Sequence, residues 1–267
     1  MNRIEQRFTE LRAKGETAFI PYLTAGDPNL EQTGRIVLAL EAAGADIIEF
    51  GVPFSDPVGD GAVIQEAAQR ALAQGVSIRA ILEHITQLRK ETQIPILFFT
   101  YFNPLLAYGI QDFARDAGRV GVDGVLCVDL PPEEAGEYKD ALSANGLCTV
   151  FLTAPTTTDA RFELIAQQCT GFVYYVSRLG VTGARSDLAT GLQNAVARIR
   201  RHTDKPVAVG FGISTPEQAR QVAGMAEGVV VGSALVRLIA ELGDIPVTAE
   251  KVGAFAKVLV DATKGRD

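Results

Sequence analysis

The sequence predicts an α/β protein, a single (β/α)8 TIM barrel over residues 1–267 with one extra helix at each end. Two observations predict this class. Short runs rich in β-branched and aromatic residues alternate with longer amphipathic segments, as they do in a series of βα units. No linker rich in Pro, Ser or Gly divides the 267 residues, which favours a single domain.

Eight segments have the near-continuous apolar character of parallel strands that are covered on both faces. A doubly wound open sheet is the competing interpretation, but eight regular units exceed its usual number of strands, and no G-x-G-x-x-G motif follows the first strand. The predicted strands are Ala18–Thr24, Asp46–Phe50, Pro95–Tyr101, Gly124–Asp129, Leu147–Thr153, Gly171–Ser177, Pro206–Phe211 and Gly228–Val231.

Helical periodicity appears between these strands. Met1–Lys14 is expected to close the bottom of the barrel, Gly232 to open the last barrel helix, and Val247–Thr263 to form the additional C-terminal helix. The other predicted helices are Leu30–Ala43, Ile78–Arg89, Glu133–Ala144, Asp159–Gln168, Leu188–Arg200 and Pro216–Ala223.

The composition excludes several classes of function. With 25 Lys and Arg against 32 Asp and Glu, the net charge of -7 argues against nucleic-acid binding and against attachment to an anionic membrane. No apolar run reaches the ~18–20 residues of a membrane helix, and the N-terminus lacks a signal-peptide core, so we expect a cytoplasmic protein. The three cysteines include no CxxC pair and are expected in the core, namely Cys127, Cys148 and Cys169.

In barrels of this class the chemistry lies on the loops that follow the carboxyl ends of the strands. Glu49 stands near the end of the apolar run Ile47–Phe50. A buried carboxyl group without a cation has a raised pKa, which suits general acid–base catalysis. The alternative is a salt bridge inside the barrel.

Two aspartates follow predicted strands. Asp60, between Gly59 and Gly61, could present its carboxylate to a ligand or bond to its own backbone in a turn. Asp129 could bind a ligand hydroxyl or cap the turn that follows it.

Glycines after the last two strands indicate a phosphate site. Gly212 and Gly232 leave room for a ligand beside the backbone, and Ser233 begins a helix whose free N–H groups can bind an anion. Gly183 could add another N–H group. The alternative is a set of tight turns that bind nothing.

The positions of the lysines and histidines disfavour two types of reaction mechanism. No lysine falls at the carboxyl end of a predicted strand, which disfavours a Schiff-base aldolase. His84 and His202 lie away from these ends and are expected at the surface, so no metal site is predicted. Proton transfer by carboxyl groups on a phosphorylated substrate, without a cofactor in this chain, fits what remains.

The run Glu49–Pro57, together with Asp60-Gly61 and Ile64-Gln65, resembles the α subunit of tryptophan synthase. The resemblance continues in order along nearly the whole chain, through Pro21–Pro28, Asp129–Glu134, Ala154–Thr157, Ser177–Gly183, Gly210–Ser214 and Val231–Ala234.

The resemblance implies retro-aldol cleavage of indole-3-glycerol phosphate to indole and glyceraldehyde 3-phosphate. It implies that Glu49 is the general acid–base and that Asp60 holds the indole N–H. Thr182 matches the threonine of a loop that closes over the substrate. Tyr174 matches an active-site tyrosine of the sixth strand. The positions around the indole are matched by Tyr22, Thr100, Tyr101 and Phe211, and those of the phosphate site by Gly183, Gly212, Gly232 and Ser233.

The resemblance also implies a partner, a β subunit that carries pyridoxal phosphate and assembles with this chain as an α2β2 heterotetramer. The loop Pro53–Gly61 is expected to contact it. Two alternatives stay open, a stand-alone lyase and a weakly catalytic activator of the β subunit, although the Glu49–Asp60 pair argues against the latter.

Two positions depart from the family pattern Asp-Pro-x-Ala-Asp-Gly-Pro, because this chain has Gly59 and Ala62 in place of its alanine and last proline. Both changes raise backbone freedom beside Asp60. We therefore expect a looser Asp60 loop, and higher activity of the isolated chain after the double change Gly59→Ala and Ala62→Pro.

Overall fold

The computed structural model describes residues 2–177, 185–210 and 212–265, with the backbone alone for residues 185–190. Eight parallel strands close into a barrel in the order of the sequence, so that the last strand pairs with the first and the predicted barrel is confirmed. The strands are β1 (Ala18–Thr24), β2 (Ile48–Gly51), β3 (Ile96–Thr100), β4 (Gly124–Cys127), β5 (Cys148–Thr153), β6 (Val173–Val176), β7 (Val207–Gly210) and β8 (Gly228–Val231).

Strand boundaries differ from the prediction by at most two residues, and at the start of two strands a proline explains the difference. Pro95 and Pro206 have no N–H group to donate, so β3 begins at Ile96 and β7 at Val207. The carbonyl of Pro95 still accepts a hydrogen bond from the N–H of Ile48 on the neighbouring strand. Prolines thus stand at the entry of strands whose interiors keep a complete ladder of hydrogen bonds.

Helices cover the outside of the barrel between successive strands. The sequence pattern does not predict α3, α5 and α6, because α3 buries small alanines and Gly109 (φ 93°) separates the two short helices after β3. The helices are α1 (Arg3–Lys14), α2 (Leu30–Ala43), α3 (Ala62–Ala73), α4 (Ile78–Leu88), α5 (Phe102–Tyr108), α6 (Ile110–Val120), α7 (Gly136–Ala144), α8 (Asp159–Gln168), α9 (Arg185–Ile199), α10 (Pro216–Ala223), α11 (Ser233–Leu242) and α12 (Thr248–Thr263).

Helix α1 closes the amino-terminal end of the barrel, as predicted. Its buried side chains Ile4, Phe8 and Leu11 belong to the same apolar cluster as the inward-facing residues of the strands. The ring of Phe8 lies 5.5 Å from that of Phe172 inside the barrel. Burial of this apolar face, at about 25 cal/mol per Å2, fixes the helix across the opening.

Two buried carboxylates bind this closed end together. Asp46, just before β2, accepts hydrogen bonds from Arg7 at 2.6 Å, from Lys264 at 2.9 Å and from the N–H of Phe19 at 2.7 Å. Asp123, just before β4, accepts from two arginines and from a strand N–H, namely Arg3 at 2.9 Å, Arg89 at 3.0 Å and Ile96 at 2.9 Å. Each buried charge is paired and hydrogen-bonded, as burial requires.

Several side chains that carry no predicted chemistry also have definite places. The three cysteines are buried and free, as expected. His84 differs from its expected surface position, because its Nε2 is buried without a hydrogen-bond partner. It faces Gly34 of α2, where a Cβ would lie only 2.8 Å from this nitrogen. Within the described ranges, no helix has the length and apolar character needed to cross a membrane.

Candidate active site

A cavity of about 490 Å3 opens at the carboxyl ends of the strands, opposite α1. This size lies within the range of small-molecule sites. It brings together seven of the residues that the sequence predicts for the site, namely Tyr22, Glu49, Asp60, Tyr174, Gly212, Gly232 and Ser233.

Glu49 lies in the wall of this cavity because of its phase in β2. The alternation of a strand sends Ile47 and Glu49 inward, while Ile48 and Phe50 pack outward against the helices. Only 1% of Glu49 is exposed, and its Oε1 has no hydrogen-bond partner. Burial, and then the charge of Asp60, raises the pKa of Glu49 to about 8.

The salt-bridge alternative for Glu49 finds no support in the described part of the chain. Among those residues no ion pair includes Glu49, whereas Asp46, three positions earlier, has two cationic partners. A carboxyl group with a pKa near neutrality can both donate and accept a proton at physiological pH.

Asp60 lies on the loop between β2 and α3, and three contacts hold this loop. The Gly59 N–H donates to the hydroxyl of Tyr101 at 2.9 Å, and the amide of Gln65 donates to the Asp60 carbonyl at 2.8 Å. The Asp60 N–H closes a turn onto the Pro57 carbonyl at 3.0 Å. The loop is therefore anchored on both sides of its carboxylate.

The Asp60 side chain faces the cavity rather than its own turn. Burial raises its pKa to about 6, while hydrogen bonding from the Tyr101 hydroxyl opposes that rise. Near neutral pH the group is largely a carboxylate and can accept a hydrogen bond from an N–H donor or stabilise a positive charge.

Helix α3, which follows the Asp60 loop, is bound to the turn after β1 by an ion pair. The guanidinium of Arg70 binds the Asp27 carboxylate through two hydrogen bonds of 2.8 Å each. Asp27 is only 3% exposed, and such a bidentate pair fixes orientation as well as distance. The turn after β1 thus holds the helix that follows the Asp60 loop.

Aromatic rings form the flat wall of the cavity. Tyr22 meets Phe99 edge to face, with 5.5 Å between ring centroids. A Cβ at Gly51 would lie 2.1 Å from the Tyr22 hydroxyl, and one at Gly210 would lie 2.3 Å from the Tyr174 hydroxyl. These two glycines leave the slots that receive the tyrosine hydroxyls, so the rings stand at the edge of an open apolar space.

The opposite end of the cavity has the features of an anion site. Gly212 adopts a left-handed backbone (φ 78°) and Gly232 precedes α11. The first N–H groups of a helix, here those of Ser233 and Ala234, have no acceptor within the helix. One turn later the exposed Arg237 also borders the cavity, and no described residue forms an ion pair with it.

Other predicted residues lie elsewhere. Thr100 is fully buried and outside the cavity wall, because it alternates with the inward-facing Phe99 and donates to the Tyr101 carbonyl. Asp129 is not part of the cavity lining, and its carboxylate accepts the Phe102 N–H at 2.7 Å and thereby caps α5. Thr182, Gly183 and Phe211 lie outside the described residues.

The apolar lining includes residues that the sequence analysis does not single out. They share one property, the inward phase of a strand at its carboxyl end. This alternation is the signal that could have found them. They are Phe99, Val128, Leu152, Val176 and Val230.

The described ranges contain no group of three or more His, Cys, Asp or Glu side chains placed to hold a metal ion. What the cavity does bring together is a neutral acid, a nearby carboxylate, an aromatic wall and a helix N-terminus. A TIM barrel with such a mouth belongs to the class of acid–base enzymes.

Comparison with known proteins identifies the family. A family model described as Tryptophan synthase alpha chain matches residues 8–264. The tryptophan synthase alpha chain of Geobacter sp. (strain M21) is 51% identical over 259 residues, or 97% of each chain. Tryptophan synthase subunit alpha from Legionella pneumophila str. Paris superposes with a TM-score of 0.91 at 37% identity, covering 98% of each chain.

The chain therefore belongs to the tryptophan synthase alpha chain family. Its members are lyases that cleave indole-3-glycerol phosphate in tryptophan biosynthesis.

Proposed function

We propose that Glu49 and Asp60 carry the family's reaction in this chain, the retro-aldol cleavage of indole-3-glycerol phosphate to indole and glyceraldehyde 3-phosphate. One observation carries the proposal: the Oε1 of Glu49 is buried in the cavity wall without a hydrogen-bond partner, and its pKa is raised to about 8. Such a group can transfer a proton in either direction near neutral pH.

The proposed chemistry balances without a cofactor in this chain. The Glu49 carboxyl group protonates C3 of the indole, and the Asp60 carboxylate stabilises the positive charge on the ring through the indole N–H. The Glu49 carboxylate then removes the proton of the hydroxyl on the carbon attached to C3. The bond between these carbons breaks, its electrons return to the indole ring, and the second carbon becomes the aldehyde.

The rest of the cavity supports this orientation of the substrate. Tyr22 and Tyr174, with Phe99, offer a slot for a flat ring, and the helix N-terminus at Ser233 offers N–H groups for the phosphate. On the resemblance, Phe211 also lines the indole site, Thr182 lies on a loop that closes over the substrate, and Gly183 joins the phosphate site. We propose that one barrel domain supplies all of these positions.

The test is indole release from indole-3-glycerol phosphate by Glu49→Gln. Loss of general acid–base catalysis is expected to lower kcat by about 10^2 to 10^4-fold. Glu163→Gln, an exposed change on α8, is the control and should keep the wild-type rate. A Glu49→Gln enzyme as fast as wild type would remove Glu49 from the proposed role.

We also propose that the mouth of the barrel binds a β subunit that carries pyridoxal phosphate, in an α2β2 assembly in the cytoplasm. Two large apolar side chains are exposed on the segments that follow β2 and β3, Val58 at 87% and Leu106 at 57%. Exposed apolar groups beside a functional opening are typical of a contact surface.

Val58→Asp is therefore expected to weaken binding of the β subunit by about tenfold, since it places a charge in the contact. The measurement is a titration of β-subunit activity with the variant chain. Val258→Asp on α12 is the matched control, because Val258 is also exposed, at 55%, but lies on a helix outside the mouth. Equal effects of the two changes would contradict the proposed surface.

A further inference from the structure

The residue before Asp60 is a glycine where the family pattern has an alanine, and backbone conformation does not explain it. Gly59 is not among the glycines with a positive φ, so the chain here adopts a conformation open to any residue. The reason for a glycine must lie in the space around it.

That space is already filled by two neighbouring side chains. A Cβ on Gly59 would lie 3.1 Å from the Tyr101 hydroxyl and 3.1 Å from Cγ1 of Val128. The Gly59 N–H donates to the same hydroxyl at 2.9 Å. An added methyl group would therefore press on the contact that anchors the Asp60 loop.

Neither neighbour can move without a consequence for the site. Tyr101 is 3% exposed, its ring packs 5.3 Å from that of Phe54, and it is the N-cap residue of α5. A shift of its hydroxyl would lengthen the hydrogen bond to Gly59. Val128 borders the substrate cavity, so a shift of its side chain would change the shape of that cavity.

We propose that Gly59 and Val128 are a compensating pair, in which Val128 fills the volume of the missing side chain and keeps the Tyr101 hydroxyl on the Asp60 loop. Val128 and Tyr101 are then positioning residues for Asp60. The inference rests on the proposed role of Asp60. It also reverses half of the expectation from the sequence, because Gly59→Ala should lower activity rather than raise it.

Ala62→Pro is a different case and should be separated from Gly59→Ala. Ala62 is the first residue of α3 and exposed, and proline is favoured at this position because its missing N–H has no acceptor there. We expect this change alone to keep or raise the activity of the isolated chain.

The experiment is a double-mutant cycle on the full chain, with kcat and KM for indole-3-glycerol phosphate as readouts. Gly59→Ala is expected to lower kcat/KM about tenfold, and Val128→Ala by about threefold through lost packing. The double variant should recover to within about threefold of wild type, because the smaller side chain makes room for the new methyl group. Gly136→Ala, exposed and with nothing near its Cβ position, is the control.

A pH profile distinguishes positioning from a general loss of packing. Removing the hydroxyl in Tyr101→Phe removes the interaction that lowers the pKa of Asp60. The acid limb of kcat/KM should therefore move to higher pH, in this variant and in Gly59→Ala, and return in the double variant. A variant with lost packing alone would lose activity equally at all pH values.

Asp60→Asn tests the role of Asp60 separately from the compensating pair of Gly59 and Val128. If Asp60→Asn keeps full activity, the role of Asp60 itself is wrong. If Asp60→Asn is inactive but the effects of Gly59→Ala and Val128→Ala simply add, only the compensating pair is overturned. Gly59→Ala at or above wild-type activity would also overturn it.

Discussion

Two buried acids, Asp46 just before β2 and Glu49 within it, have opposite surroundings. Asp46 at the closed end has Arg7, Lys264 and a backbone N–H on its carboxylate. Glu49 at the open end, three residues later, has an oxygen with no partner and a pKa raised to about 8. Within four residues the chain therefore places one acid that stabilises the fold and one that remains available for proton transfer.

The next pair of acids repeats the contrast. Asp123 at the closed end binds Arg3 and Arg89, which oppose the rise in its pKa caused by burial. Asp60 at the open end has hydrogen bonding from Tyr101 to oppose its rise, and no described cation forms an ion pair with it. Among the described residues, the two acids at the closed end are thus paired with cations, whereas Glu49 and Asp60 take part in no ion pair.

Replacement of Asp46 and of Glu49 by their amides should give the largest effects on the free energy of unfolding, in opposite directions. Asp46→Asn leaves Arg7 and Lys264 beside a neutral group, and we expect the free energy of unfolding to fall by about 3–5 kcal/mol. Glu49→Gln should instead raise it, by up to about 3 kcal/mol near pH 7, because folding forces Glu49 to hold a proton that the unfolded state releases, and glutamine carries no such cost. Urea denaturation followed by circular dichroism measures both.

Asp112→Asn provides the control for the removal of a salt bridge as such. Asp112 pairs with Arg115 on the surface, where both side chains are 60% exposed. Such a pair contributes less than about 1 kcal/mol. If Asp46→Asn lowers the free energy of unfolding no more than the control does, the contrast drawn between Asp46 and Glu49 is wrong.

A smaller effect concerns the pH dependence of stability. Folding raises the pKa of Glu49 from its ordinary value of 4.5 to about 8, so the folded state holds a proton that the unfolded state releases. The resulting stability is complete below the unfolded value and is lost as the pH rises toward 8.

The wild type should therefore lose up to about 1.4 kcal/mol of unfolding free energy per pH unit across that interval, relative to Glu49→Gln. Denaturation at a series of pH values measures the difference between the two proteins. Parallel curves would show that Glu49 does not hold its proton on folding.

The smallest expected effect is at Arg237, the exposed cation beside the proposed phosphate site. Arg237→Gln should raise KM for indole-3-glycerol phosphate about threefold at low salt with little change in kcat, since the charge attracts the phosphate from outside. The difference should shrink as salt screens it. Arg115→Gln on the exposed face of α6 is the control, and an equal effect there would assign the change to net charge alone.

The fold could be predicted from the sequence because its strands are continuous apolar runs. Errors arose where local chemistry alters a boundary, as at Pro95 and Pro206, or where a helix is weakly amphipathic, as in α3. In the site, Glu49 could be predicted because a lone carboxylate in an apolar strand is exceptional.

Other parts of the site depend on information that the sequence does not carry locally. Whether Thr100 or Phe99 faces the cavity depends on the phase of β3, because adjacent residues of a strand point to opposite faces. Asp129 caps a helix that follows a different strand, so its role requires the pairing of β3 with β4. The lack of room for a side chain at Gly59 arises because Tyr101 and Val128, distant in sequence, converge on it.

The contacts of Asp46 join segments of the chain that are synthesised at very different times. Its carboxylate receives Arg7 from the first helix and Lys264 from the end of the last, 218 residues away from it in sequence. A partly folded chain without α12 would hold a buried acid with only some of its partners, which is costly. This penalty falls on incomplete forms and not on the native one, so a single carboxylate favours all-or-none folding of the barrel.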